Sequence, residues 1–137
     1  MKQRVLFLCT HNANRSQMAE GLVNHFLGER WEASSAGTEA TAVNPRAIRA
    51  MAEMGIDISG QRSKTLSEFD GQTFDRVITL CGGASEKCPL FVGGVRREHL
   101  GFDDPSRATG TEEEIMAEFR RVRDEMKKAL LELLTTP

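Results

Sequence analysis

One segment constrains the fold of this 137-residue chain more than any other. Val5-Leu6-Phe7-Leu8 runs straight into Cys9-Thr10-His11-Asn12-Ala13-Asn14-Arg15-Ser16, and that loop runs into a helical stretch. A continuous apolar run of this kind is what a strand buried on both faces of a parallel sheet looks like. From about Ser16 to Leu27 the apolar residues Met18, Leu22 and Phe26 recur at helical spacing, and Gly28 supplies a stop. A buried strand, a polar loop and an amphipathic helix in that order are the first half of a βαβ unit, and a parallel sheet follows from it.

The remainder alternates in the same way. Ala33 to Gly37 reads as a short second strand. Asn44 caps and Pro45 opens a helix carrying Ile48, Met51, Ala52 and Met54, which ends at Gly55. Ser63 to Phe69 reads as a short helix, Phe74 to Leu80 as a second buried strand, Gly82 to Gly94 as a glycine-rich loop, and Glu98 to Phe102 as a fourth strand. Thr111-Glu112-Glu113-Glu114 is a capping box for a last helix whose apolar stripe is Ile115, Phe119, Val122, Met126, Leu130 and Leu133. The expected fold is α/β: a single-domain sandwich over residues 1–137 with a four-stranded parallel sheet flanked by helices. A chain of this length holds a real core without disulfides.

Composition serves mainly to exclude. A net charge of −2 argues against nucleic acid as a partner, because phosphate backbones select clustered Lys and Arg. No apolar run approaches the roughly 20 residues of a membrane span, and no cleavage-site pattern follows the start, so a cytoplasmic location with reduced thiols is expected. The three cysteines, Cys9, Cys81 and Cys88, match no zinc spacing, and His25 and His99 stand at no ligand spacing with them. No metal or other cofactor is therefore expected, and the chain is expected to be a monomer.

The Cys-x5-Arg-Ser string carries the chemistry. A loop entering a helix at the carboxyl end of a strand turns backbone N–H groups inward, and the helix terminus adds positive potential. Five residues between Cys9 and Arg15 are enough to wrap one tetrahedral oxyanion, whose oxygens the guanidinium clamps. The setting favours a nucleophilic Cys9 thiolate, with the Ser16 hydroxyl as its donor. Thr10, His11, Asn12, Ala13, Asn14, Arg15 and Ser16 are the substrate-binding candidates. Within them His11 reads as solvent-facing, and Asn12 and Asn14 as stabilisers of loop turns. With this loop in this position the chain resembles the low-molecular-weight tyrosine phosphatase superfamily.

A phosphatase needs one cysteine, and here Cys81 follows the buried strand Val77 to Leu80 as Cys9 follows its own. If the two strands are neighbours, both thiols open onto one crevice. Two thiols closing to a disulfide supply two electrons. Cys88, beyond a small and polar loop, would carry the resulting disulfide outward by thiol exchange. Thr79-Leu80-Cys81-Gly82, Cys88-Pro89, Arg97 to Pro105 and Arg15 to Gly21 are similar to the arsenate reductases of that superfamily, over about Arg4 to Leu134. The resemblance implies Cys9 as nucleophile, Cys81 and Cys88 as second and third thiols, and Asp104, immediately before Pro105, as the acid. It also implies arsenate as substrate and thioredoxin as reductant.

Three features depart from the family pattern. Asn14 stands where many relatives have a further cysteine. Asn12, Glu20 and Ser35 match a potassium site of some relatives, but Lys64 replaces a carboxylate there, so a cation is expected to bind weakly or not at all. Ser106 follows Asp-Pro where phosphatases usually carry tyrosines, and the chain has no Tyr. Two other readings remain: a phosphomonoester hydrolase using Cys9, Arg15 and Asp104, and a thiol-based arsenite or metal sensor, which would have no use for an oxyanion loop.

Overall fold

The computed structural model describes residues 2–81 and 93–135. Four strands form one sheet: β1 (Gln3–Cys9), β2 (Trp31–Gly37), β3 (Phe74–Thr79) and β4 (Gly94–His99), in the order β2-β1-β3-β4 and parallel throughout. The helices are α1 (Arg15–Phe26), α2 (Pro45–Ala52) and α3 (Glu112–Thr135). A 3-10 turn spans Leu66–Phe69 inside the segment expected to be helical. Among the described residues no helix is long and apolar enough to cross a membrane.

Alternation along β1 explains the two sides of the core. Val5 and Phe7 join Ile78, Met18, Leu22, Met51, Phe119 and Met126 on the face covered by helices. Leu6 and Leu8 join Ala36, Phe74 and Val77 on the other, against Leu66 and Phe69. Because β1 is central, all of Val5 to Leu8 is buried, which is why its sequence shows no polar alternation.

The terminal signals hold. Asn44 Oδ1 accepts the Arg46 N–H at 2.8 Å to cap α2. Thr111 and Glu114 exchange two bonds of 3.2 Å, completing the capping box of α3. Gly28 follows the end of α1 at Phe26, and a Cβ there would stand 2.3 Å from the Asn24 carbonyl oxygen, so the tight exit from the helix calls for glycine. Trp31 is buried as a packing residue, and Glu118 pairs with Arg121 at 2.7 Å.

Three expectations need correction. The fourth strand is Gly94–His99, not Glu98 to Phe102. It is one of the sheet's two edge strands, and its charged Arg96, Arg97 and Glu98 carry no apolar run to read. Leu100 N and Phe102 N still bond the carbonyls of Thr79 and Leu80, so this apolar segment follows β3 after the ladder ends. Phe26 is 38% exposed, meets His25 edge to face and lies under the Lys127 ammonium rather than entering the core. In α3 the fully buried stripe begins at Met116 and ends at Leu134, with Ile115 and Leu133 at its margins.

Candidate active site

The loop between β1 and α1 is held from behind by Asn12, which is fully buried and has a left-handed φ of 50°. Asparagine tolerates that conformation better than most residues. Its Oδ1 accepts Gln17 Nε2 and the Lys64 N–H, each at 2.8 Å, and its Nδ2 donates to Ser16 Oγ at 2.8 Å. Ser16 Oγ lies 2.8 Å from Cys9 Sγ. Since that oxygen already accepts from Asn12, its own proton is available to the sulfur.

The loop carbonyls are bound outward. Thr10 O accepts from Glu39 N and Thr38 Oγ1, His11 O from Ser63 Oγ, Asn12 O from Gln17 Nε2, and Ala13 O from Asn44 N. In a planar trans peptide the next residue's N–H points the opposite way, so these bonds turn the loop's donors toward the cavity. Gly37, at the end of β2, permits the close approach: a Cβ there would lie 2.6 Å from Thr10 O, 2.7 Å from Cys9 O and 2.9 Å from Asn12 N.

Cys9, Thr10, His11, Ala13, Asn14, Arg15 and Asp104 line one cavity of about 480 Å³. Arg15 is 3% exposed; its Nη1 donates to Phe102 O at 3.2 Å, and Nη2 lies 3.7 Å from Asp104 Oδ2. Asp104 Oδ1 accepts Ser106 N and Ser106 Oγ, so the Asp-Pro turn is also what fixes the carboxyl. Asp103 points away to Arg121 at 3.1 Å. His11 is solvent-facing as expected, with Nε2 3.5 Å from Glu39. Asn14 is not the loop stabiliser expected of it: its Nδ2 donates to Asp104 Oδ1 at 3.3 Å.

Asn12 and Ser16 stand behind the loop rather than in the cavity. Cys81 does not line the cavity either. It follows β3 at 3% exposure, one residue after the Leu80 N–H that bonds Leu8 O. Strands β1 and β3 are indeed neighbours, so Cys9 and Cys81 emerge from adjacent strand ends. Cys88 lies outside the described residues. Thr41, Asn44, Ser106 and Arg107 complete the cavity wall, and none of them was a site candidate from sequence. For Ser106 and Arg107 the adjoining Asp-Pro turn was the available signal.

Behind the loop, Ser35 Oγ donates to Glu20 at 2.7 Å, and the Lys64 ammonium lies 3.8 Å from the same carboxylate. Burial pushes the Glu20 carboxyl above its ordinary range, against the opposing pull of Ser35 and Lys64. The positive charge that faces this carboxylate is the Lys64 ammonium. Among the described residues no three His, Cys, Asp or Glu side chains converge as metal ligands. His99 sits at the sheet edge with Nδ1 2.7 Å from Thr79 Oγ1.

Comparison with known proteins agrees with this geometry. The arsenate reductase of Bacillus subtilis (strain 168) is 52% identical over 132 residues, covering 96% of this chain and 95% of that protein. A solved arsenate reductase in the phosphate binding state superposes with a TM-score of 0.83 at 36% identity, covering 98% of both chains. The Corynebacterium glutamicum thioredoxin-dependent arsenate reductase gives a TM-score of 0.61 at 32% identity, over 96% of this chain and 63% of that one. The family profile of the low molecular weight phosphotyrosine protein phosphatases matches residues 4–136. With a strand-end cysteine, an outward-bonded loop and a buried arginine in the family's arrangement, the chain belongs to the low molecular weight phosphotyrosine protein phosphatase family, in its arsenate reductase branch.

Proposed function

We propose that this protein reduces arsenate to arsenite through a three-thiol relay regenerated by thioredoxin. The observation that carries the reading is a second buried thiol, Cys81, at the strand end adjacent to the Cys9 oxyanion loop. Hydrolysis of an ester would leave that thiol unused, whereas a two-electron reduction requires it.

In the first step arsenate occupies the loop, with Arg15 and the backbone N–H groups on its oxygens. The Cys9 thiolate attacks arsenic while Asp104 protonates the departing oxygen. Cys81 then attacks the Cys9 sulfur. The sulfur–arsenic bond breaks, its electron pair stays on arsenic, and arsenite leaves a Cys9–Cys81 disulfide. Attack by Cys88 on Cys81 transfers the disulfide and restores Cys9. Thioredoxin, on which the Corynebacterium relative depends by name, would reduce the Cys81–Cys88 bond.

The test is arsenate-dependent NADPH oxidation in the presence of thioredoxin and thioredoxin reductase, with p-nitrophenyl phosphate hydrolysis measured alongside. Multiple turnover that requires all three cysteines supports the relay. Ester hydrolysis without arsenate turnover favours the one alternative that the cavity itself supports, a phosphomonoester hydrolase built on Cys9, Arg15 and Asp104. In that case Cys81→Ser would leave hydrolysis intact.

A further inference from the structure

Asn14 departs from what its place in the chain asks of it. It precedes α1, where an asparagine ordinarily accepts a backbone N–H of the first helical turn, yet no such side-chain bond forms. The side chain instead reaches a residue 90 positions away, with Nδ2 3.3 Å from Asp104 Oδ1. Its own Oδ1 is buried and has no hydrogen-bond partner among the described residues. A forgone cap and an orphaned acceptor are both unfavourable. Turning the amide over would set its oxygen against a carboxylate oxygen, so the orientation is fixed by Asp104.

We propose that Asn14 is a positioning residue that decides which oxygen of Asp104 carries the transferable proton. Asp104 Oδ1 already receives three donors: Asn14 Nδ2, Ser106 N and Ser106 Oγ at 3.3, 3.0 and 2.7 Å. A proton placed there would collide with them. It therefore resides on Oδ2, the oxygen 3.7 Å from Arg15 Nη2 and hence beside the group that clamps the oxyanion. In the step this serves, a Cys9 sulfur–arsenic bond forms and one arsenic–oxygen bond breaks. Oδ2 gives its proton to the departing hydroxyl, which leaves as water, and Asp104 becomes the carboxylate; no electrons change hands.

The inference rests on the reductase reading above. Its test is a double-mutant cycle in the coupled arsenate assay: wild type, Asn14→Ala, Asp104→Asn and the pair, with Asn14→Leu as an uncharged variant of similar size that lacks the donor. Mispositioning the acid should lower kcat about 10- to 100-fold and change KM for arsenate less than about twofold. In the Asp104→Asn background, adding Asn14→Ala should change kcat less than about twofold, because the residue acts through the lost acid. An equal factor in both backgrounds overturns the proposal. So does a loss confined to KM and matched by weaker binding of inorganic phosphate, which would assign Asn14 to loop shape alone. If Asn14→Ala fails to fold, Asn14→Leu decides in the same cycle. Turnover of p-nitrophenyl phosphate but not arsenate sinks the reductase reading, and the same cycle then runs on the ester; turnover of neither sinks both.

Discussion

The sulfur of Cys9 ends a chain of donors that starts behind the loop, passing from Lys64 N and Gln17 through Asn12 and Ser16. Hydrogen bonds to charged groups contribute about 1.5–3 kcal/mol. Ser16→Ala should therefore slow alkylation of Cys9 by iodoacetamide at neutral pH by about tenfold or more. Rates equal to wild type, followed by mass spectrometry, would show that the hydroxyl does not act on the sulfur. Gly37→Ala meets a harder obstacle, since the three atoms its Cβ would strike are all backbone. Overpacking of that kind should destabilise the fold by about 1–3 kcal/mol in urea and weaken inorganic phosphate binding. At this scale the sequence was legible where spacing has chemical meaning. Cys9, Arg15 and Ser16 are marked by their spacing, whereas Asp104 before Pro105 reads as a turn on its own and stands out only through the family resemblance. Gly37 and the Asn14–Asp104 bond do not, because each is defined by what a distant part of the chain brings up to it.

Elements were legible where one face is buried and their ends are chemically marked. The buried run of β1, the Asn44 cap and the Thr111 box all carry local signals, whereas β4 is an edge strand whose charged residues carry none. Contacts between elements were hidden from the sequence. Arg76 Nη1 and Trp31 Nε1 donate to the last carbonyls of α3, at Leu133 and Leu134, each at 3.1 Å. Glu20 on α1, Ser35 on β2 and Lys64 before the 3-10 turn lock three segments together beneath the loop. Burial raises the Glu20 carboxyl, so the folded chain holds that proton to a higher pH than the unfolded chain, whose value is near 4.5. Where the folded state binds more protons, stability falls as pH rises. Glu20→Gln removes this loss, so the stability difference, variant minus wild type, should increase as pH rises from 4.5 through the folded titration. Urea melts at several pH values check the slope, and a flat difference would refute it. With Lys64 already beside this carboxylate, replacing sodium by potassium chloride should leave the wild-type melting temperature unchanged.

Taken whole, the strand order puts β1 between β2 and β3 with all carboxyl ends on one side, so that Cys9, Gly37 and Cys81 leave adjacent strands. Asp104 enters the same rim from the segment after β4. Such an arrangement is enough for an oxyanion and one nucleophile without any rearrangement. The redox half of the reaction asks for more, since Cys81 is buried and outside the cavity, and a disulfide requires alpha carbons within about 7 Å. The proposed relay would therefore separate into a step confined to the rim and later steps in which thiols approach one another, and single cysteine variants should stop it at different points. Cys81→Ser should form no arsenite. Cys88→Ala should form at most one arsenite per chain and then halt, because its two remaining thiols are both consumed in the Cys9–Cys81 disulfide. Rapid-quench measurement of arsenite together with a free-thiol count gives the answer: a burst of one equivalent, with the thiols falling from two to none. Thioredoxin should not restart such a chain at the wild-type rate. Full multiple turnover by Cys88→Ala would mean that the reductant reaches the Cys9–Cys81 bond directly, reducing the relay to two thiols.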